Sequence, residues 1–254
     1  MANDRGRKRV SLFDPASFLI ISLGIFAGAV VSGLLGFAFS AVAGAILLHV
    51  LPPTEAVPLM MACSIVTQGV SLVALRGTVK WRGSPVLIAG GLVGILPAFY
   101  LLHTVDVRIF RIGFGAFLAA YAAYMLLRPA LARGLGAPDR LRDAVIGFGG
   151  GLIGGLTAMP GALPTIWCEL RGVPKDQQRG FVQPYITAMQ LSALALMFWH
   201  NTFSGQALIN LTFSLPALAA GAAIGVVMFR KIDGAMFRHA VLTVLFVAGL
   251  ALVV

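Results

Sequence analysis

An all-α, polytopic membrane fold built from two repeats is what this sequence predicts. Three observations carry that prediction: the chain is hydrophobic throughout, its charges fall between long apolar runs, and its halves repeat each other's special residues. Of 254 residues, 59% are hydrophobic and only 11% charged, with a mean hydropathy of +0.92. A soluble domain carries about a quarter charged residues, so the composition belongs to the membrane class.

Uncharged or nearly uncharged runs cover 15–48, 56–75, 83–102, 109–127, 144–168, 180–199, 201–229 and 239–254. A bilayer core needs about 20 apolar helical residues. That gives about eight hydrophobic segments in one transmembrane domain, 1–254, and β-barrel strands would be far shorter. The basic start "MANDRGRKRV" precedes an apolar run that is long for a signal peptide and has no clear small-residue cleavage site, so 15–48 reads as mature membrane segment. Cys63 and Cys168 both fall in apolar segments and read as soft packing residues, not as a disulfide or a metal pair. The net charge of +10 would point to nucleic acid in a soluble protein. Here the Lys and Arg flank apolar runs, as membrane orientation requires, and no nucleic-acid partner is expected.

The repeat emerges at an offset of 122, where Gly28 falls on Gly150, Gly33 on Gly155, Pro52 on Pro174 and Gln68 on Gln190. After a slip the offset becomes 127, pairing Gly94 with Gly221, Asp106 with Asp233, Phe110 with Phe237 and Arg111 with Arg238. "VDVRIFR" and "IDGAMFR" are thus one helix entrance written twice, with an acidic residue suited to the first turn. Repeat 1 spans about 15–128 and repeat 2 about 141–254, joined by the basic loop 128–142. Each half holds a long first segment, broken or re-entrant, followed by three transmembrane helices. The basic loops 76–82, 128–142, 171–179 and 230–238 favour the cytoplasm. Placing all four inside makes 141–170 enter and leave on one face, and a hairpin in both halves makes the repeats inverted.

Why should a chain break a helix inside a bilayer, and do it twice? "GAVVSGLLGFAFSAVA" (28–43) and "GGGLIGGLTAMPGALP" (149–164) are glycine-punctuated apolar stretches with a few hydroxyls. Non-helical backbone at that depth is tolerated where protein or a cavity surrounds it, and transporters aim half-helix N-termini at an anionic solute there. The breaks near Gly33–Ser40, which include Gly36, and near Gly155–Ala162 are therefore the candidate site. Pro160 and Gly161 suit a break and restart.

Polar side chains within the spans extend the site. Gln68 and Gln190 are repeat-related amides able to meet one central ligand, and an amide in a bilayer needs a partner. Ser32, Ser40, Ser64, Thr67, Thr157 and Thr165 are weaker candidates, because a helix can satisfy a hydroxyl on its own backbone. Tyr185 lies beside Pro184, whose missing donor loosens that helix. No HExxH, Cys/His cluster, Walker loop or G-x-S-x-G elbow occurs. No enzyme, catalytic residue, metal or cofactor is expected; the partners are a small anionic solute and the lipid bilayer.

Two glycine-based openings, "GAVVSGLLG" and "GGLIGGLTA", each followed by "LPP" or "GVP", resemble the TauE/SafE family of sulfite exporters, also called toluene sulfonate uptake permeases. The resemblance spans about residues 15–254, with departures at "GFAFSA" and "TAMPGA". It implies a secondary transporter in a bacterial inner membrane for sulfite, sulfoacetate or related organosulfonates. Dipoles and amides alone predict only a small oxyanion, which keeps open a permease or channel for a carboxylate or other non-sulfur anion. A coupling ion, proton or sodium, and a homodimer also remain open at this level.

Overall fold

The computed structural model describes residues 15–35, 38–74, 84–127, 140–173, 175–201, 205–229 and 234–253. Among the described residues there are ten α-helices and no strands. They are α1 (Pro15–Leu35), α2 (Phe39–Val50), α3 (Pro53–Ala74), α4 (Ser84–Thr104), α5 (Val107–Leu127), α6 (Arg140–Thr157), α7 (Ala162–Leu170), α8 (Lys175–Trp199), α9 (Gly205–Phe229) and α10 (Gly234–Val253). The protein is a multi-pass membrane protein, and among the described residues four stretches are long and apolar enough to cross: Pro85–Thr104, Val107–Leu127, Gly180–Trp199 and Gly205–Gly225.

The eight apolar runs become ten helices because both long first segments are split. α1 ends at Leu35 and α2 starts at Phe39; α6 ends at Thr157 and α7 starts at Ala162. Gly36, one of the candidate residues of the first break, lies outside the described residues. At the second break Ala158 has a left-handed φ of 57°, a conformation that costs an L-residue about 1–2 kcal/mol. Pro160 follows and has no N–H with which to continue the helix. Elsewhere the local chemistry is as the sequence indicates. Asp106 caps α5, its Oδ1 accepting the N–H groups of Arg108 at 2.8 Å and Ile109 at 3.4 Å.

Glycines set the directions of the helices. A methyl on Gly90 would meet the Ala144 carbonyl, one on Gly94 that of Phe148, and one on Gly155 the Ala98 side chain, so α4 and α6 run parallel. The same holds for α1 and α9. Gly221 abuts Phe26 and Gly225 abuts Val30, while the Phe18 and Phe213 rings, each about two turns before Phe26 and Gly221, meet at 5.8 Å. By contrast Gly115 lies against Gly249 and Leu252, and Gly249 against Ala119, so α5 and α10 are antiparallel. Contacts of this kind, backbone on backbone, are how membrane helices gain packing where lipid supplies no hydrophobic drive.

Both split segments fold back on themselves. Gly24 faces Ile46 and Gly28 faces Phe39 and Ala43, which makes α1 and α2 an antiparallel pair. In the second pair Gly154 meets Pro160 and Gly150 meets Pro164. At its open end the Trp167 indole N–H donates to Asp143 Oδ1 at 2.8 Å, and the Arg171 guanidinium lies 3.5 Å from the same oxygen. Arg171 also sits 5.7 Å from the Trp167 ring centroid, a cation–π distance. The start of α6 and the end of α7 are therefore adjacent, as a hairpin entering and leaving on one face requires.

Candidate functional site

Four helices converge on one small cavity. α2 and α3 are antiparallel neighbours joined at Leu51–Pro52, so Ser40, near the start of α2, lies level with Ser64 and Gln68, midway along α3. α7 and α8 repeat this arrangement, which brings Gly161 beside Gln190 on the middle of α8. Helical spacing puts Ser64 and Gln68, four residues apart, on one face of α3. Six candidate residues line the cavity together: Ser40, Ser64, Gln68, Pro160, Gly161 and Gln190. Its volume is about 20 Å³. One water needs roughly 10–15 Å³ on this measure, so the space is about that of a single water.

Two features of the lining concern hydrogen bonding. The first is the helix ends: neither Ala38 nor Gly161, the N-cap residues of α2 and α7, offers a side-chain cap. Each end keeps the orphan N–H groups and the partial positive charge of a helix start. In α7 the effect falls on fewer donors, because Pro164 has no N–H and Ala162 and Thr165 donate to the carbonyls of Met159 and Gly161. The second is the side chains. Gln190 Nε2 donates to Ser64 Oγ at 2.8 Å and to the Ala158 carbonyl at 3.4 Å. Ser40 Oγ, Gln68 Oε1 and Gln190 Oε1 are all buried and have no hydrogen-bond partner. Buried polar atoms are nearly always partnered, so three such atoms around one cavity call for a ligand or water.

A family model described as sulfite exporter TauE/SafE matches residues 20–252. The chain belongs to the TauE/SafE family. No curated protein and no solved structure matched it. Membership makes the protein a membrane transporter and not an enzyme.

Not every candidate residue of this TauE/SafE protein reaches the cavity. Ser32 is buried within α1 but is not part of the lining. Gly33 faces α9, where an added methyl would come within 2.9 Å of the Ala222 carbonyl oxygen, and Gly155 faces Ala98 on α4. Both are close-approach positions between helices. The Thr157 hydroxyl donates to its own helix at the Ile153 carbonyl, 2.7 Å away, and that of Thr67 to the Ser64 carbonyl at 2.9 Å. The fully buried Tyr185 donates its phenol proton to the Gly147 carbonyl at 2.7 Å, tying α8 to α6. The lining also includes Ala158, Met159 and Ala162, which fall within the Gly155–Ala162 break without being singled out, and Ile186, which the sequence reading missed. The first three lie in the "TAMPGA" break itself. Ile186 sits four residues before Gln190, a spacing that puts the two on one face of α8.

Proposed function

We propose that this TauE/SafE protein is a secondary transporter of the bacterial inner membrane that carries small sulfur-containing anions such as sulfite, sulfoacetate or other organosulfonates. The observation that carries the proposal is convergence. Two uncapped helix starts and three partnerless polar atoms surround one buried cavity, and an anion can accept from the donors among them. In this reading Ser40, Ser64, Gln68 and the backbone N–H groups left free at the starts of α2 and α7 hold the anion, while Gln190 acts partly through Ser64. The sulfur comes from the family, and the oxyanion from the chemistry of the lining.

The transport cycle we infer rests on inverted repeats. Matching α1–α5 to α6–α10 makes the parallel pair α4 and α6 the counterpart of α9 and α1, and leaves α5 and α10 as a self-related pair. The observed neighbours and directions agree with that exchange. Each half then contributes a hairpin and three crossings, and the hairpin tips meet near the midplane. The cavity volume of about 20 Å³ is far below that of a sulfonate head group. Loading therefore requires the tips and α8 to separate on one side at a time, and Pro184 gives α8 a place to bend.

Thermal stabilisation of the purified protein by sulfite, sulfoacetate, taurine and a size-matched carboxylate tests the reading, repeated in Gln68→Ala and Gln190→Ala. Stabilisation by a sulfur anion that both variants lose is the expected result. Stabilisation by the carboxylate alone moves the substrate to the non-sulfur anions. Saturable exchange of one anion for another in liposomes separates a carrier from a channel.

A further inference from the structure

We propose that the cavity selects a singly charged anion carrying a hydrogen-bond donor of its own, so that its sulfur substrate is hydrogen sulfite and not the sulfite dianion. This rests on the transport reading above and deepens it. Two independent features of the lining lead to it.

The first is charge. Among the described residues every lining side chain is neutral. On the helices that form or flank the cavity, His49, Glu55, Cys63, Asp143, Cys168, Glu169, Arg171 and Tyr185 all fall outside the lining. The starts of α2 and α7 supply the fixed positive potential, each worth at most about half an elementary charge, and the C-terminal ends of α1 and α6 at the same tips offset part of it. Together the starts balance no more than about one negative charge. A dianion would leave about one charge or more uncompensated in a site without a charged side chain, and burying an unpaired charge is costly.

The second is the direction of one amide. Gln190 Nε2 lies 3.4 Å from the Ala158 carbonyl oxygen, and a carbonyl can only accept. That contact sets which way round the amide sits: nitrogen toward Ala158 and Ser64, oxygen away from both. Gln190 Oε1 is left as a buried acceptor with no donor, and Gln68 Oε1 is in the same position. A bare oxyanion would meet these oxygens with repulsion. A ligand with an O–H or N–H group would satisfy one of them while its other oxygens take the donors. One donor is ready: Ser64 Oγ accepts from Gln190, which frees and polarises its own proton for the ligand.

Three anions of nearly the same size and shape decide the matter: methanesulfonate (one charge, no donor), sulfamate (one charge, N–H donors) and sulfate (two charges, no donor). Their binding to the full-length protein is measured by calorimetry, with sulfite titrated on both sides of neutral pH. Sulfamate is expected to bind at least about tenfold more tightly than methanesulfonate, the worth of one net hydrogen bond, and sulfate more weakly than either. Sulfite binding should weaken as hydrogen sulfite loses its proton, while sulfamate binding stays flat over the same range. Gln190→Met should bring sulfamate down to the level of methanesulfonate. Sulfate binding as tightly as sulfamate, and losing affinity in Gln68→Ala, overturns this inference and leaves the transport site standing. Equal affinities for sulfamate and methanesulfonate in the wild type overturn it as well. If none of the four anions binds, the transport reading falls with it.

Discussion

Gln190 on α8 donates to Ser64 on α3 across 2.8 Å, although 126 residues separate them in the chain. The bond joins the two halves of the molecule at the cavity. A single interhelical hydrogen bond in a membrane is worth about 1 kcal/mol. Ser64→Ala and Gln190→Leu should each lower stability by about that amount, and the double variant by little more than either alone. A double-mutant cycle on unfolding in detergent measures this. Additive losses would mean that the two side chains do not depend on each other.

The α4–α6 seam leads to a sharper expectation. Methyl groups on Gly147 and Gly151 would run into the carbonyl oxygens of Leu87 and Gly91, which are backbone atoms and have no rotamer to escape into. Gly147→Ala and Gly151→Ala should each destabilise the protein by about 1–3 kcal/mol or more, the range of overpacked cores. Gly69 and Gly113 have nothing within 4 Å of the added methyl. Alanine there should be neutral, or stabilising by about 0.5–1 kcal/mol through the lower entropy of the unfolded chain. Thermal unfolding of the four single variants checks the contrast.

The same seam explains what was and was not legible in the sequence. The breaks could be read because Gly and Pro punctuate them, and Gln68 and Gln190 because amides are rare enough in apolar helices for their shared offset to stand out. Gly33 and Gly155 face neighbouring helices, which the sequence does not show, because a glycine that admits a neighbouring backbone and one that admits a ligand are the same letter. For Tyr185 and Thr157 the sequence does not show the hydroxyl's partner, here the Gly147 or Ile153 carbonyl, because that is a matter of rotamer and packing. With both first segments split at those breaks, the eight runs give ten helices among the described residues. The Asp143–Trp167–Arg171 cluster spans the two ends of the second hairpin, and only the folded pair brings them together.

That cluster should behave as a unit. Asp143 accepts from Trp167 and faces Arg171, so Asp143→Leu leaves a partly buried guanidinium and an indole N–H without their acceptor. A loss of about 1–3 kcal/mol is expected from Asp143→Leu. The double variant Asp143→Leu, Arg171→Met should recover part of it, because no unmatched charge remains. Unfolding temperatures in detergent give the comparison. If the double variant is worse than Asp143→Leu alone, Arg171 contributes through its stacking on Trp167 more than through its charge.

The directions of the helices also lead to a prediction about faces. α4 and α6 start on the same face, α7 returns to it, and α8 leaves from it. In the inverted-repeat reading α3 crosses to the face where α4 starts, so α3 and α8 should begin on opposite faces of the membrane. His49, exposed near the end of α2 just before α3, should therefore lie on the face opposite Gln177, exposed in the first turn of α8. The basic loops assign Gln177 to the cytoplasm and His49 to the outside. Single cysteines, His49→Cys and Gln177→Cys, are placed in a background where the buried Cys63 and Cys168 are alanine. A thiol reagent that cannot cross the membrane should label the first in intact cells and the second only after permeabilisation. Labelling of both from one face would mean that the two hairpins enter from the same side, and the repeats would then not be inverted.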